Sequence, residues 1–218
     1  MNKNEQFVIT LNRELGSGGH TVGRLLAEKL HVTYYDKAVI NALTDRLGMT
    51  VEEIEAIKGK KRSWWDEFRG GAGVQVFNGG MPQLMADYYT IENDMPATDE
   101  MFRMESVVLK EIAKSESCIV AGRSGFAIFQ NWPNTMHIFI QASMEKRIAR
   151  VIKRQGLSQK EAIAAIEKVD AGRENYLKKN AMTTRYDTRH YDLVLSMDHL
   201  TEEQAADIIF DFIEKQAE

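Results

Sequence analysis

The chain is 218 residues long, 44% hydrophobic and 28% charged, with 28 Lys and Arg against 32 Asp and Glu for a net charge of −4. That length and balance suit one or two globular domains and exclude a wholly disordered, collagen-like or low-complexity chain. The slight acidic excess also argues against a general nucleic-acid coat protein, because binding to the phosphate backbone is driven by surplus positive charge.

Met1 to Gln6 lack the apolar stretch of a signal peptide. No window approaches the roughly 18 apolar residues of a membrane span, so a cytoplasmic protein without a membrane or nucleic-acid partner is expected. Phe7 to Leu11 is a short run of strand formers entering the glycine-dense stretch Gly16-Ser17-Gly18-Gly19. Val22, Leu25, Leu26 and Leu30 then share one helical face. Val32 to Tyr35 reads as a second strand ending at Asp36, and helical periodicity resumes at Val39, Ile40 and Leu43. Thr50 with Glu53 has the spacing of a helix capping box. From about residue 59 to 97 regular pattern stops: a basic patch, Trp64, Trp65 and Phe68, clustered glycines and two of the three prolines predict an insertion or flap.

Pattern returns with a helix starting near Asp99, followed by a buried strand from Ser117 to Ala121. The strand contains Cys118, the single cysteine, which closes no intrachain disulfide and points to a reducing compartment. Gly122-Arg123-Ser124 follows at its end. A further strand spans Met136 to Gln141, and Ser143 opens a helix bearing Arg147, Arg150 and Arg154. Ser158 with Glu161 caps a long helix through Asp170 and Arg173, Tyr191 to Ser196 is a last strand, and Thr201 with Gln204 caps the final helix. Five strands alternating with helices predict a parallel sheet covered on both faces.

In such sheets ligands bind beyond the carboxyl ends of the strands, where the glycine loop, Asp36 and Arg123 all fall. Glycines let successive main-chain amides and a helix N-terminus surround an oxyanion such as phosphate. Neither common nucleotide-binding pattern fits fully. The dinucleotide pattern G-x-G-x-x-G meets Thr21 where it needs a third glycine, and the mononucleotide pattern G-x-x-x-x-G-K-[ST] finds no Gly-Lys pair between residues 12 and 24. Arg147, Arg150 and Arg154, spaced by three and four residues, favour phosphoryl transfer, since guanidinium forks grip phosphate oxygens and keep their charge when desolvated.

The runs Ile9 to Gly19, Tyr35-Asp36-Lys37, Cys118 to Arg123 and Tyr191 to Leu195 resemble the cytidylate kinase-like family, relatives of the P-loop nucleoside monophosphate kinases. The resemblance implies a single three-layer α/β domain over residues 1–218, with a five-stranded parallel core, a nucleotide-monophosphate-binding insertion at 59–97 and a lid region at about 150–190. It implies that ATP and Mg²⁺ are used to phosphorylate CMP or a related monophosphate. By the same resemblance Gly16, Ser17, Gly18, Gly19, His20 and Thr21 hold the donor phosphates, with Thr21 near Mg²⁺. Asp36 and Arg123 hold the acceptor, and Arg150, Arg154 and Arg173, with Asp170, belong to the lid. Gly19 stands where typical members carry the phosphate-binding lysine and Ser124 where they carry an acid, so Arg13, His20 and Arg24 are the candidates to supply the missing charge. A non-catalytic nucleotide-binding protein on the same scaffold and a kinase of another small molecule are the alternatives.

Overall fold

A computed structural model of the chain describes residues 1–36, 99–122 and 124–216. The irregular zone at 59–97, the capping pair Thr50 and Glu53, and Arg123 lie outside the described residues. Five strands form one sheet in the order β2-β3-β1-β4-β5. They are β1 (Val8–Arg13), β2 (Thr33–Tyr35), β3 (Cys118–Ala121), β4 (Thr135–Gln141) and β5 (Leu193–Ser196), and every neighbouring pair is parallel. Each of the five predicted strands is present, with ends moved by at most two residues.

The central strand explains why the sheet needs cover on both sides. Alternate residues of a strand face opposite ways. Ile9 and Leu11 pack with Ile138 and Ile140 against α1 (Gly19–Leu30) and the C-terminal helix, through Val22, Leu26, Ala205, Ile209 and Ile213. Val8 faces the opposite layer with Val120, where α2 (Asp99–Ser115) contributes Val108, Leu109 and Ile112, and Phe129 follows α3 (Gly125–Ile128). Such two-sided burial is characteristic of parallel sheets.

A third, smaller core positions the site. Helices α4 (Met144–Gln155) and α5 (Gln159–Ala181) bring Val151, Ala162, Ile166 and Val169 against Leu15 in the glycine loop. The turn between them uses Gly156, at φ 68°, and the predicted capping box, in which Ser158 accepts from the Glu161 amide while Glu161 accepts from the Ser158 amide. Helix α6 (Glu202–Gln216) is capped as predicted, Thr201 Oγ1 accepting from the Gln204 amide at 3.2 Å. Among the described residues no helix is long and apolar enough to cross a membrane.

Candidate active site

Between the end of β1 at Arg13 and the start of α1 at Gly19 the chain turns through Glu14 to Gly18. Gly16 and Gly18 adopt φ of 80° and 89°, left-handed values that cost a side-chain-bearing residue energy and glycine almost none. Space is short as well: a Cβ on Gly16 would lie 2.7 Å from the Arg147 carbonyl oxygen, and one on Gly18 would lie 3.1 Å from Glu202 Oε1. Gly18 is the N-cap of α1, and no side chain caps the helix there. The Gly19 amide of the first turn donates to Ser17 Oγ at 3.3 Å, and a helix N-terminus whose N-cap residue offers no side chain is the arrangement that favours anions.

Guanidinium groups surround this loop. Arg147 Nε donates to the Leu15 carbonyl at 2.8 Å, Arg150 Nη1 to the Gly16 carbonyl at 3.0 Å and Arg154 Nη2 to Thr21 Oγ1 at 3.0 Å. From α5, Arg173 Nη1 donates to the Arg13 carbonyl at 2.9 Å. Because a trans peptide holds its C=O and N–H in opposite directions, the carbonyl drawn to Arg147 turns the Gly16 N–H away from that helix. The arginines therefore orient the loop as well as charge it.

Asp170 organises the buried side of the collar. It accepts from the Leu15 amide at 3.2 Å, pairs with Arg147 and with Arg185 at 3.0 Å, and lies 3.8 Å from Arg173. Burial works against the Arg185 charge, and Asp170 together with Tyr186 more than offsets it, so the guanidinium is held above its ordinary pKa. Glu14 completes the clasp, pairing with Arg147 at 3.3 Å and accepting from the Ala142 amide at 3.1 Å.

On the β2 side, His20 Nε2 lies 3.2 Å from Asp36 Oδ2, so the donor-loop histidine and the acid at the strand end are neighbours. Tyr34 packs edge-on to His20 at 5.5 Å. Burial raises the Tyr34 pKa, with Arg13, Arg24 and Arg173 pulling it down and Asp36 pushing it up. Arg24 lies further along α1, while the loop carbonyls are served by arginines of α4 and α5. The structure thus brings together Arg13, the loop residues 16–21, Arg150, Arg154, Arg173 and Asp170, with Asp36 joined through His20. Arg123 is outside the described residues.

Sequence reading gave no part to Arg185, Glu14, Tyr191 or Glu202. Arg185 lies in an aperiodic return segment that no pattern highlights. That segment is held by Tyr191, whose hydroxyl donates to the Arg185 carbonyl at 2.9 Å and accepts from Asn12 Nδ2 at 2.8 Å, while its ring stacks on Phe139 at 5.2 Å. Glu202 pairs with Arg150 at 3.2 Å and approaches Arg154 at 3.9 Å; in sequence it is only the first residue of an ordinary helix. Glu14 alone had a signal, an acid beside the glycines, and its partner Arg147 was visible only as part of a stripe.

A family model of the cytidylate kinase-like family matches residues 8–199, from β1 to just past β5. The chain belongs to the cytidylate kinase-like family. It is 23% identical over 203 residues to a cytidylate kinase of Sulfolobus acidocaldarius, covering 92% of this chain and 91% of that one. An uncharacterized protein from Eubacterium ventriosum has a TM-score of 0.67 at 21% identity, with 96% of this chain and 99% of that chain covered. A sugar kinase from Janibacter has a TM-score of 0.50 at 12% identity, with 98% and 97% covered. Structural likeness at these identities shows the P-loop kinase fold, and family membership supports a phosphotransferase.

Proposed function

We propose that this cytidylate kinase-like protein transfers the γ-phosphoryl group of ATP to a nucleoside monophosphate, CMP or a close relative. The observation that carries the reading is the set of guanidinium groups on the glycine loop: Arg147, Arg150, Arg154 and Arg173 each donate to an atom of residues 13–21. A kinase transition state spreads negative charge over the equatorial phosphate oxygens and leaves little covalent chemistry for the protein to perform. Positioned cations and main-chain amides are what it requires.

In this reading residues 16–21 hold the donor triphosphate, and Arg150 and Arg154 turn toward it from the lid region. Arg13 and Arg173 stand between donor and acceptor. Asp36 and Arg123 are the residues assigned to the acceptor, while Asp170 holds Arg147, Arg173 and Arg185 in place. An oxygen of the acceptor phosphate attacks the γ-phosphorus in line; the bond from that phosphorus to the β,γ-bridging oxygen breaks, and ADP leaves with the electron pair. A reducing, cytoplasmic setting belongs to the same reading and agrees with the fully buried Cys118 thiol.

Mg²⁺ would reach the site with ATP. In this arrangement the Thr21 hydroxyl accepts from the Arg154 guanidinium at 3.0 Å, so it would hold the metal only once Arg154 has turned to the donor phosphates. Among the described residues no group of three His, Cys, Asp or Glu side chains could hold a metal ion. A magnesium ion carried in by ATP needs few protein ligands and would add its charge to that of the chain's own cations and amides.

The deciding experiment is a coupled assay of ADP release with ATP and a panel of nucleoside monophosphates, shikimate and simple sugars. Turnover stimulated most by a pyrimidine monophosphate is expected. Saturable ATP binding with no acceptor-stimulated turnover would leave a non-catalytic nucleotide-binding protein, and stimulation by a non-nucleotide alone would move the acceptor assignment.

A further inference from the structure

The mononucleotide-binding pattern G-x-x-x-x-G-K-[ST] sets its lysine directly after the second glycine and its first glycine five residues before the second. Registered on Gly18, which opens α1, the pattern asks for glycine at position 13 and lysine at position 19. This chain carries Arg13 and Gly19. The cation and the glycine have changed places.

The geometry shows why the two positions move together. A Cβ built on Gly19 would lie 2.7 Å from Arg13 Cβ, 3.2 Å from Arg13 Cγ and 3.3 Å from Ile140 Cβ. Separations under 3 Å are not tolerated between such atoms, so side chains at 13 and 19 exclude each other. The stem of Arg13 fills the volume through which a side chain at 19 would leave the loop. Its guanidinium then runs on to Gly122 at the end of β3, where Nη1 occupies the space a Cβ would need. The base of the side chain is fixed, because the Arg13 carbonyl accepts from Arg173 at 2.9 Å and from Arg185 at 3.5 Å.

We propose that Arg13 carries the phosphate-binding cation of this loop in place of the lysine, through a reciprocal exchange between positions 13 and 19. The inference rests on the reading of residues 16–21 as the donor site and adds which residue contacts the donor phosphates there. The exchange alters the chemistry in a definite way. An ammonium is a compact point charge, whereas a guanidinium presents a planar fork to two phosphate oxygens and stays charged in a dry site. Its placement also differs: the cation spans from the donor loop to the end of β3, toward the edge at which the acceptor is expected, and so lies between the two phosphates that react.

Titration calorimetry of the full-length chain with inorganic tripolyphosphate tests this without reference to any acceptor. Arg13→Met keeps the stem over Gly19 and removes the charge; it is expected to unfold at the wild-type temperature and to bind tripolyphosphate about tenfold or more weakly. Gly19→Lys alone is expected to weaken binding as well, because the two side chains contend for one volume. The double variant Arg13→Gly/Gly19→Lys, which restores the pattern, is expected to bind about tenfold or more tightly than Arg13→Gly. Arg13→Met binding within about twofold of wild type, a double variant no tighter than Arg13→Gly, or a wild-type chain that does not bind tripolyphosphate would each overturn the exchange. If Arg13-dependent binding is found but no acceptor ever stimulates ADP release, the exchange stands and the kinase reading falls.

Discussion

Arg147 and Arg150 stand one turn apart on α4, and their surroundings separate building the loop from using it. Arg147 is 6% exposed and pairs with both Asp170 and Glu14. Arg150 is 20% exposed and Arg154 30% exposed, and both approach the single carboxylate of Glu202. A desolvated guanidinium between two largely buried carboxylates cannot exchange partners without leaving Glu14 unpaired and taking from Asp170 one of its guanidinium partners. A partly exposed pair that meets at one carboxylate can turn to an incoming polyphosphate, because solvent screens the change and the new anion carries more charge. One stripe of arginines thus contains a structural member and two that suit ligand binding, and burial decides which is which.

Breaking the comparison at its strong end gives the largest effect. Arg147→Ala leaves Asp170 and Glu14 without their shared partner and is expected to cost about 3–5 kcal/mol in denaturant unfolding. Arg150→Ala is expected to cost under about 1 kcal/mol while weakening ATP binding about tenfold. Equal destabilisation by the two variants would erase the distinction.

Metal removal sharpens the other end. With Arg150 and Arg154 turned to the phosphates, ATP in excess EDTA is expected to bind within about tenfold of its affinity with Mg²⁺, since guanidinium groups contribute charge neutralisation of their own. Loss of all binding in EDTA would give that neutralisation to the metal instead. A smaller effect is expected from Glu202→Gln, which removes the carboxylate that shares Arg150 and Arg154: tripolyphosphate should bind roughly threefold more tightly, as an internal competitor is lost. Weaker binding would make Glu202 a holder of the arginines.

The smallest effect lies away from the loop. Burial holds the His137 pKa below its ordinary 6.5, and its Nδ1 lies 2.8 Å from Thr10 Oγ1. The unfolded chain therefore takes up this proton first as pH falls. Stability should be full above about pH 6.5 and decline below it, by at most about 1.4 kcal/mol per pH unit from this group. His137→Gln should flatten that decline, and an unchanged acid limb would exclude His137 as its source.

How much of this was legible in sequence depended on whether a residue belonged to a local pattern. Strand β3 is an unbroken apolar run, β1 begins as a short run of strand formers, and the boxes at Ser158 and Thr201 are fixed spacings, so fold and caps could be read directly. Gly16 and Gly18 were legible because few residue types tolerate their backbone angles. The division of labour along Arg147, Arg150 and Arg154 was not, because spacing gives the face and not the partners; Asp170 and Glu202 arrive from distant segments. Arg185 was invisible because its position is fixed by Tyr191 stacking on Phe139, a contact across elements with no local signature. The exchange between Arg13 and Gly19 lay in the sequence but had no physical reason until the two positions were seen to compete for one volume.

The most direct measurement is an ATP titration of the wild-type chain beside Arg150→Ala/Arg154→Ala, with unfolding monitored in parallel. Wild type should bind one ATP per chain, and the double variant should lose about a hundredfold in affinity while staying folded. Undiminished ATP affinity in that folded variant would contradict the assignment of the loop and its partly exposed arginines as the donor phosphate site.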